Sequence, residues 1–399
     1  MKILVISPYL PYDTIGHAGG KLHNYNIKTL AKECDMKVVT FARKAELKKS
    51  DLDIYNIDNV ILLSDDTIIT SAKRKIYTFF KYFVFFDQTG GFYIPLFKNK
   101  VLSRLKQLKK EGYSPDSIYL EWTQALLLLP QIKKIFNYSK FICLEQDISF
   151  QSIYRQYKFK KGFFLNFVWR IKYLNLKKYE LLCLNKCDNI FVLNTKDENL
   201  LIDNGIVSSK IAIRIPFYDT YYSIQRKNIN IKKIIFFGAM DRPENYLSVI
   251  WFIENVMSQL DNSYQFFIIG GNPNKCLSKY KNCNIQITGF VQKIDSYFGD
   301  CLCMVCPLLF GAGIKIKVLE AFSAGIPVLA NDVAIEGIPA VNEKDYFQCN
   351  TSDEFKNTII KLSSDFRLTY RIGVNAQNFS KREFDYRKSD SAFKKAILG

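Results

Sequence analysis

The chain has 399 residues, 48% of them hydrophobic, and a formal net charge of +18 at pH 7. This length allows two ordinary domains with a large core, and the apolar content excludes wholesale disorder. The basic excess would suit nucleic acid, an anionic membrane surface or phosphorylated substrates. Because the basic residues are spread along the chain without helix-turn-helix or zinc-finger spacing, nucleic acid is the least favoured partner.

The sequence favours a reducing, cytoplasmic location. The apolar start at residues 2–7 is typical of a buried strand rather than a signal peptide, and no apolar run approaches the roughly 20 residues of a membrane span. The ten cysteines include Cys301, Cys303 and Cys306 in one apolar strand, and the chain has only two histidines. We therefore expect small core cysteines, and neither a zinc site nor any other metal or cofactor.

The first half of the chain predicts a parallel sheet covered by helices. Its strands are predicted at residues 2–7, 37–41, 60–63, 117–122, 141–147, 189–193 and 210–216. A glycine-containing loop, residues 8–20, follows the first strand, where open parallel sheets bind ligands, and it includes His17, Gly19 and Gly20. Because the loop lacks the G-x-G-x-x-G pattern, a nicotinamide or flavin site is disfavoured. A plain loop with glycines for turning is the alternative.

Two later strand ends of the first half carry candidate site residues. Glu121 and Trp122 end one predicted strand, and Gln146 and Asp147 end the next. Glutamine can donate a hydrogen bond but cannot transfer a proton. Any proton transfer would therefore fall to Asp147, Glu121 or His17, or to a departing phosphate.

The second half restarts the alternation after a polar stretch, residues 218–233, that we interpret as a linker. Its strands are predicted at residues 234–238, 266–271, 285–291, 301–307 and 327–330. Three of them end at or near Gly238, Gly270 and Gly289. Several strand-glycine-helix units in one sheet indicate a nucleotide site.

The most informative stretch is residues 309–337, in which a strand, a glycine turn, a helix and a strand follow one another. Gly311 and Gly313 let the backbone approach an anion, and the helix start offers N–H groups with about half a positive charge. Glu320 lies about 10 Å and nearly two turns beyond Gly313. We expect its carboxylate to bind a ribose diol while the turn holds a diphosphate. A surface glutamate paired with Lys317 is the alternative.

At these residues the chain resembles the retaining GT-B glycosyltransferases of the GT4 group. Their donor site has the form E-x7-E, or the variant G-x-G-I-K-x-K-V-L-E-A, followed by G-x-P-V and often E-G-I. This chain has GAGIKIKVLEA at residues 311–321, GIPV at 325–328 and EGI at 336–338. It follows the variant, because Ala312 stands where E-x7-E has its first glutamate.

The resemblance implies an α/β protein of GT-B fold: two facing Rossmann-like parallel-sheet domains, an inter-domain cleft and a C-terminal crossover helix. Residues 1–217, with 376–399 packing back on them, would bind the acceptor. Residues 218–375 would bind the donor.

The resemblance also implies a metal-independent hexosyl transfer that retains the anomeric configuration. A nucleotide sugar would be the donor and a glycan or polyprenyl-linked molecule the acceptor, in cell-envelope polysaccharide biosynthesis. A non-catalytic nucleotide-sugar-binding subunit is the alternative, because glutamate is missing at Ala312 and histidine at Gln146. An epimerase of the same fold is a third hypothesis, for which the sequence offers no acid-base pair of its own.

The resemblance assigns roles residue by residue. Relatives use an arginine where Ala239 stands and a lysine near Asn245, so Arg242 and Lys315 are the predicted cations here. Many relatives carry a sugar-contacting histidine where this chain has Gln146. The predicted catalytic residues are Asp147, Gln146, Lys315 and His17; the predicted acceptor-binding residues are Glu121 and Trp122. The predicted donor-binding residues are Gly19, Gly20, Gly238, Arg242, Asn245, Gly270, Gly289, Phe290, Val291, Gly311, Gly313, Ile314, Lys315 and Glu320.

Two segments of the first half allow two interpretations each. Residues 73–86 are dense in aromatic and basic side chains, which favours a helix at an anionic lipid surface, such as the inner face of the plasma membrane. The alternative is a core helix with a basic outer face. Residues 51–53 match the D-x-D of metal-dependent GT-A glycosyltransferases, but their lysine-rich surroundings favour chance surface acids.

Overall fold

A computed structural model of the protein describes residues 1–15, 17–42, 44–49, 59–62, 95–159, 163–226, 228–311 and 313–399. The chain forms two compact units, the first comprising Met1–Phe217 and Tyr386–Gly399 and the second Tyr218–Asp385. The D-x-D pattern at 51–53, the aromatic segment at 73–86 and Ala312 lie outside the described residues.

The described residues of the first unit form a seven-stranded parallel sheet in the order β3-β2-β1-β4-β5-β6-β7. The strands are β1 (Lys2–Ile6), β2 (Asp35–Ala42), β3 (Asn59–Leu62), β4 (Ser117–Glu121), β5 (Lys140–Leu144), β6 (Asn189–Val192) and β7 (Ile211–Ile213). β1 pairs with β2 on one side and β4 on the other. The strand order therefore reverses between β1 and β4, and ligands bind at such a switch point in open parallel sheets.

Helices cover this sheet. They are α1 (Ala18–Ala31), α2 (Lys44–Leu47), α3 (Pro95–Lys110), α4 (Thr123–Leu126), α5 (Leu129–Ile135), α6 (Ser149–Phe159), α7 (Phe163–Asn185) and α8 (Thr195–Asp203), with a 3-10 turn at Ser208–Lys210. Strand residues such as Leu4 and Phe141 are fully buried, and they share one core with Leu184 of α7. The continuous apolar runs predicted as strands are thus those of a sheet buried on both faces.

The second unit has a six-stranded parallel sheet in the order β10-β9-β8-β11-β12-β13 among its described residues. The strands are β8 (Asn230–Phe237), β9 (Gln265–Ile269), β10 (Ile285–Gly289), β11 (Cys301–Cys306), β12 (Val328–Ala330) and β13 (Phe347–Gln348). β8 pairs with both β9 and β11, so its switch point lies between β8 and β11. The predicted α/β architecture of two parallel sheets is confirmed.

The helices of the second unit complete the layers. They are α9 (Pro243–Asn255), α10 (Asp295–Asp300), α11 (Ile316–Ser323), α12 (Asp332–Ile335), α13 (Ser352–Ser364) and α14 (Phe366–Glu383), with 3-10 turns at Met257–Gln259 and Lys275–Tyr280. α14 is one continuous helix, and its Phe379 packs edge to face on Phe322 of α11 at 5.8 Å between ring centroids. This contact keeps residues 376–385 in the second unit, so their predicted assignment to the returning tail is wrong.

The returning segment consists of a 3-10 turn, Tyr386–Ser389, and α15 (Asp390–Leu398). Fully buried Arg214 donates hydrogen bonds to the Ser389 hydroxyl at 2.7 Å and to Asp390 Oδ1 at 2.6 Å. Ser117 of β4 donates to the carbonyl oxygen of Ile397 at 2.9 Å. The chain end is therefore an integral part of the first unit.

The predicted linker at 218–233 is wrong at both ends. β8 begins at Asn230, and the residues before it pack on the second unit. Arg226 donates hydrogen bonds to the carbonyl oxygens of Gly325, at 2.6 Å, and of Cys301. Burial of this guanidinium lowers the pKa of Arg226. The polar composition of this stretch suggested an exposed linker, but the arginine donates to buried carbonyl groups instead of facing solvent.

All ten cysteines lie in the described residues as free thiols, and seven of them are buried. Within the part of the chain that the structure describes, no helix combines the length and the apolarity needed to cross a membrane.

Candidate functional site

Two glycine loops meet at the carboxyl ends of β8 and β9. Gly238 and Gly270 have φ angles of 157° and 150°, where residues with a side chain are strained. A Cβ atom at residue 270 would lie 1.8 Å from the carbonyl oxygen of Gly238. The two predicted glycines therefore lie close together, and neither position has room for a side chain. Backbone rather than side chains lines this part of the site.

The glycine turn lies at the end of β11, on the other side of this switch point. Lys315 is the N-cap residue of α11, and its ammonium donates to the carbonyl oxygen of Gly313 at 2.6 Å. The same ammonium lies 3.9 Å from a carboxylate oxygen of Glu336. Lys315 is 9% exposed, and Ile314 beside it is half-buried. The predicted cation is thus held against the turn that Gly311 and Gly313 form.

A second lysine belongs to this site, and the sequence analysis missed its role. Lys317 donates to the Asn245 side-chain oxygen at 2.5 Å and lies 4.3 Å above the ring of Phe236. Asn245 in turn donates to the carbonyl oxygen of Ala239 at 2.8 Å. A Cβ at Gly238 would lie 2.8 Å from the lysine nitrogen. Lys317 therefore bridges the helix after the glycine turn to the loop after β8.

Desolvation makes the Lys317 amine less basic than an exposed lysine. Its amine is enclosed by protein although part of the side chain is exposed, and burial lowers the pKa of Lys317 to about 8, against opposing contributions from Cys306, Glu244 and Glu320. Arg242 adds to the lowering. An anion arriving beside such an amine would favour its protonated form.

Glu320 is buried in the middle of α11, with 5% of its surface exposed. The surface-glutamate alternative is therefore wrong. Burial, with the Glu320 carboxylate as a further cause, raises the pKa of the Tyr221 hydroxyl. The Tyr221 amide donates to the Ser323 hydroxyl at 2.9 Å, which holds this tyrosine against the same helix. A buried carboxylate in the middle of a helix with one lysine at its N-cap and another in its first turn is suited to a polar ligand.

The remaining predicted donor residues lie on loops of the second unit. Arg242 is the N-cap residue of α9, and its half-exposed side chain lies 3.9 Å from the Glu244 carboxylate. Phe290, directly after β10, is 81% exposed. Gly289, with a φ of 69°, precedes it, and half-buried Val291 follows it. A large aromatic ring exposed at a sheet edge offers a stacking surface.

In the first unit, the predicted loop with Gly19 and Gly20 is wrong in part, because both glycines lie in the first turn of α1. His17 is the N-cap residue, and its Nδ1 accepts a hydrogen bond from the Gly20 amide at 3.0 Å. A Cβ at Gly20 would lie 2.2 Å from the Ile15 side chain. Glycine is a poor helix former, but here the close packing and the cap stabilise the helix start.

Five of the predicted residues come together at the switch point of the first unit. Gln146 donates to Glu121 at 2.8 Å, and its amide nitrogen lies 3.5 Å from the carbonyl oxygen of Gly19. The ring of Tyr9 packs at 4.9 Å from the rings of both His17 and Trp122. The residues after β1, β4 and β5 thus form one cluster.

Trp122 and His23 give this cluster two further properties. Trp122 has a φ of 68°, a strained conformation for an aromatic residue and one that is frequent at functional sites. His23 was missed by the sequence analysis: it is fully buried, and its Nδ1 lies 2.5 Å from the Glu121 carboxylate. The one signal in the sequence was that the only two histidines lie six residues apart.

A second set of buried polar groups lies behind this cluster. Thr123 donates to Glu145 at 2.6 Å, and Glu180 accepts from the backbone amides of Ser149 and Phe150 at 3.0 Å. Burial, followed by the charge of Glu180, raises the pKa of Glu145 well above its usual range. Burial raises the pKa of Glu180 to about 8. Half-buried Asp147 adds to both shifts.

Comparisons with known proteins agree with this architecture. Residues 231–365 match the model of the family described as glycosyl transferases group 1. The chain is 22% identical over 284 residues to an uncharacterized glycosyltransferase of Methanocaldococcus jannaschii, covering 65% of this chain and 68% of that protein. It is 25% identical over 225 residues to an uncharacterized 44.6 kDa protein in the cps region of Klebsiella pneumoniae, covering 53% of this chain and 56% of that protein.

Solved structures resemble the whole chain. HepE of Anabaena in complex with UDP has a TM-score of 0.68 and 14% identity, with both chains covered completely. Sucrose-phosphate synthase from Thermosynechococcus elongatus has a TM-score of 0.66 and 13% identity over 99% of this chain and 97% of that one. The fold is that of the GT-B glycosyltransferases, and the matches together support a glycosyltransferase.

Proposed function

We propose that the protein transfers a sugar from a nucleotide-sugar donor, bound by the second unit, to a glycan or polyprenyl-linked acceptor bound by the first. The observation that carries this proposal is the buried Glu320 on the helix that follows the glycine turn. Its carboxylate binds the ribose diol of the donor. Gly311 and Gly313 bring backbone to the diphosphate, and Phe290 stacks on the base.

The reaction needs a counter-charge for the leaving diphosphate. Breaking the anomeric C–O bond leaves an oxocarbenium-like sugar and places negative charge on the nucleotide. One cation about 4 Å from that charge is worth roughly 4 kcal/mol at an effective dielectric near 20. Lys315, Lys317 and the N-terminus of α11 supply such charge, so no metal is needed. The transfer retains the anomeric configuration of the sugar.

A panel of UDP-, GDP- and ADP-sugars tests the proposal. Binding to the folded state raises its stability with the logarithm of ligand concentration over Kd, so the true donor raises the melting temperature most, with and without EDTA. The same donor then releases free nucleotide slowly without acceptor. Stabilisation without any nucleotide release would favour a non-catalytic nucleotide-sugar-binding subunit. No stabilisation by any member of the panel would reject the donor site.

We further propose that the enzyme works on cell-envelope polysaccharides at the cytoplasmic face of the plasma membrane. One face of α7 supports this. At about 100° per residue, Phe167, Leu174 and Leu182 share one exposed face with Arg170 and Lys178. Exposed apolar side chains between basic ones suit an anionic lipid surface.

Vesicle co-sedimentation tests this surface. Phosphatidylglycerol vesicles should bind the wild-type protein, and the double variant Phe167→Asp, Leu174→Asp should bind several-fold more weakly. Tyr138→Asp is the matched control, because Tyr138 is 95% exposed in the same unit but lies outside α7. Equal binding by wild type and the double variant would reject the surface.

A further inference from the structure

The Asn245 side chain holds the Lys317 amine from one fixed side. Its Nδ2 donates to the carbonyl oxygen of Ala239 at 2.8 Å. A carbonyl oxygen only accepts hydrogen bonds, so the amide nitrogen must face Ala239. The amide oxygen is therefore turned to the other side, where it accepts from Lys317 Nζ at 2.5 Å. A backbone group that does not titrate thus fixes the direction of this amide.

Asn245 is itself held in place by the start of α9. It is 5% exposed and lies in the first turn of this helix, where its backbone N–H donates to the carbonyl oxygen of Arg242 at 2.9 Å. Three residues further on, fully buried Ser248 accepts from the Leu309 amide at 3.2 Å. Leu309 follows β11, just before the glycine turn. The start of α9 is therefore connected to the loops after both β8 and β11.

The space for the amine is open because residue 238 has no side chain. A Cβ at Gly238 would lie 2.8 Å from Lys317 Nζ and 3.0 Å from Asn245 Nδ2. The Phe236 ring lies 4.3 Å from the same amine, and an aromatic face favours a cation. The Lys317 amine thus lies beside the loop after β8, although the residue belongs to α11.

The protonation of this amine depends on its surroundings. Burial has the largest effect and lowers the pKa of Lys317 to about 8. A hydrogen bond to the protonated form of an amine favours that form. Because the Asn245 oxygen accepts from the ammonium, its removal should lower the pKa of Lys317 further. The charged and titratable groups that also act on the amine, from β11, α9 with its cap, and α11, are Cys306, Glu244, Arg242 and Glu320.

We propose that Asn245 is a positioning residue, which holds the Lys317 amine beside Gly238 and keeps it protonated for the diphosphate of the donor. This inference rests on the proposed function and makes one of its cations depend on a neutral side chain of another helix. Asn245 is nearly buried and both ends of its amide are engaged, so it acts on the donor through Lys317. Without that hydrogen bond the amine would lose its proton at lower pH and would no longer be held in one place.

A titration of the free protein tests the contact between the two side chains. The Cε signals of 13C-labelled lysines report the protonation of each amine, and Lys317→Met identifies the signal of Lys317. We expect its midpoint to fall by about one pH unit in Asn245→Leu, because the acceptor is lost. In Asn245→Asp it should rise by about one pH unit, because a carboxylate replaces the amide oxygen. Asn255→Leu, at the other end of α9, is the matched control and should keep the wild-type midpoint.

A double-mutant cycle tests whether Asn245 acts through Lys317. The probe is the nucleotide sugar of the panel that stabilises the wild-type protein most, and its Kd is measured at pH 7. Asn245→Leu should bind it several-fold more weakly, whereas Asn255→Leu should bind it like wild type. Adding Asn245→Leu to Lys317→Met should weaken binding no further, because the asparagine then has no lysine to hold.

The outcomes are distinguishable. If no nucleotide sugar binds to the wild-type protein, the proposed function fails and this inference with it, whatever the titration shows. If the donor binds but Asn245→Leu leaves the midpoint of Lys317 unchanged, only this inference fails. Additive effects in the cycle would also overturn it, because Asn245 would then act on the donor by itself. Should Asn245→Leu not fold, Asn245→Asp decides alone, and an unchanged or lower midpoint in that variant would reject the role of Asn245.

Discussion

The two switch points of the molecule have the same topology and opposite chemistry. In the first unit the residues beside the switch point are neutral or internally paired side chains, with Gln146 held by Glu121 and Tyr9 packed on Trp122. In the second unit they are glycine backbone and lysine amines, with Lys317 bound to Asn245. One surface presents fixed hydrogen-bonding groups and aromatic rings, and the other presents positive charge.

This difference teaches that the fold supplies the place and the side chains supply the function. Amines and glycine backbone suit a diphosphate, because both approach an anion closely. Neutral hydrogen-bonding groups beside aromatic rings suit an uncharged ligand such as a glycan. The comparison therefore predicts that changes in the second unit alter affinity for the nucleotide sugar, whereas changes in the first alter recognition of the acceptor.

Glu320→Ala should have the largest effect and would sharpen this comparison. It removes the acceptor for two ribose hydroxyl groups, and hydrogen bonds to a charged group are worth about 1.5–3 kcal/mol each. We expect donor affinity to fall about a hundredfold or more, measured by titration calorimetry with the best nucleotide sugar of the panel.

The control for this variant is Glu343→Ala, at an exposed position of the same unit. It should bind the donor like wild type, and both variants should keep the circular dichroism spectrum of the folded protein. Wild-type affinity in Glu320→Ala would break the comparison, because the second unit would then bind something other than a nucleoside.

Lys317→Met should have the next largest effect, with a characteristic pH dependence. The pKa of the free Lys317 is lowered to about 8, and a bound diphosphate favours the protonated amine. Donor binding then takes up a proton above that pH, so wild-type affinity should fall by up to about tenfold per pH unit there. The neighbouring thiol of Cys306 does not ionise in this range, because burial raises its pKa to about 12.

The methionine variant should bind about tenfold more weakly at pH 7 and show no such slope. Lys344→Met, an exposed lysine of the same unit, should retain the wild-type slope. The slope is measured as Kd for a nucleotide sugar between pH 6.5 and 9.5. If Lys317→Met kept the wild-type slope, another group would take up the proton. The charged residues that act on Lys317 are Glu244, Glu320 and Arg242.

The fold and the glycine turn could be predicted from sequence because their signals are local. Apolar runs predicted every strand of both sheets except the two-residue β13, and three runs of the second half end at or near a glycine. The spacing from Gly313 to Glu320 predicted a carboxylate on α11. The role of Lys317 was harder to predict. Lys315 and Lys317 are close in sequence, and only the residue at which α11 begins, Ile316, decides which of them reaches Asn245. Gly19 and Gly20 misled, because a cap and close packing outweigh the low helix propensity of glycine.

The site of the first unit could not be predicted as a whole, because its contacts are non-local. His23 and Glu121 are 98 residues apart in sequence, and no pattern connects them. Gln146, which donates to Glu121, lies a further 25 residues along the chain. Conversely, Arg226 lies in a polar stretch that is typical of a linker, yet its guanidinium makes a buried hydrogen bond to the carbonyl oxygen of Gly325. Polar residues that satisfy one another at long range look like surface residues in the sequence.

Glu145→Gln should have the smallest effect. It tests the first unit through the pH dependence of stability, as Lys317→Met tests the second through the pH dependence of donor affinity. Burial and the charge of Glu180 raise the pKa of Glu145, so the folded state keeps a proton that the unfolded state loses near pH 4.5. The stabilisation is complete below that pH and is lost as pH rises toward the folded pKa. Glutamine imitates the protonated acid, so the variant should lose less stability than wild type between pH 5 and pH 8, by on the order of 1 kcal/mol.

The measurement is urea unfolding in a Trp251→Phe background, in which both remaining tryptophans, Trp122 and Trp169, report on the first unit. Glu111→Gln, exposed in the same unit, is the control and should follow the wild-type pH dependence. If Glu145→Gln instead lost more stability than wild type on raising the pH, the carboxyl group would be ionised in the folded protein. The first unit would then also hold a charged buried group, and the chemical contrast between the two units would fail.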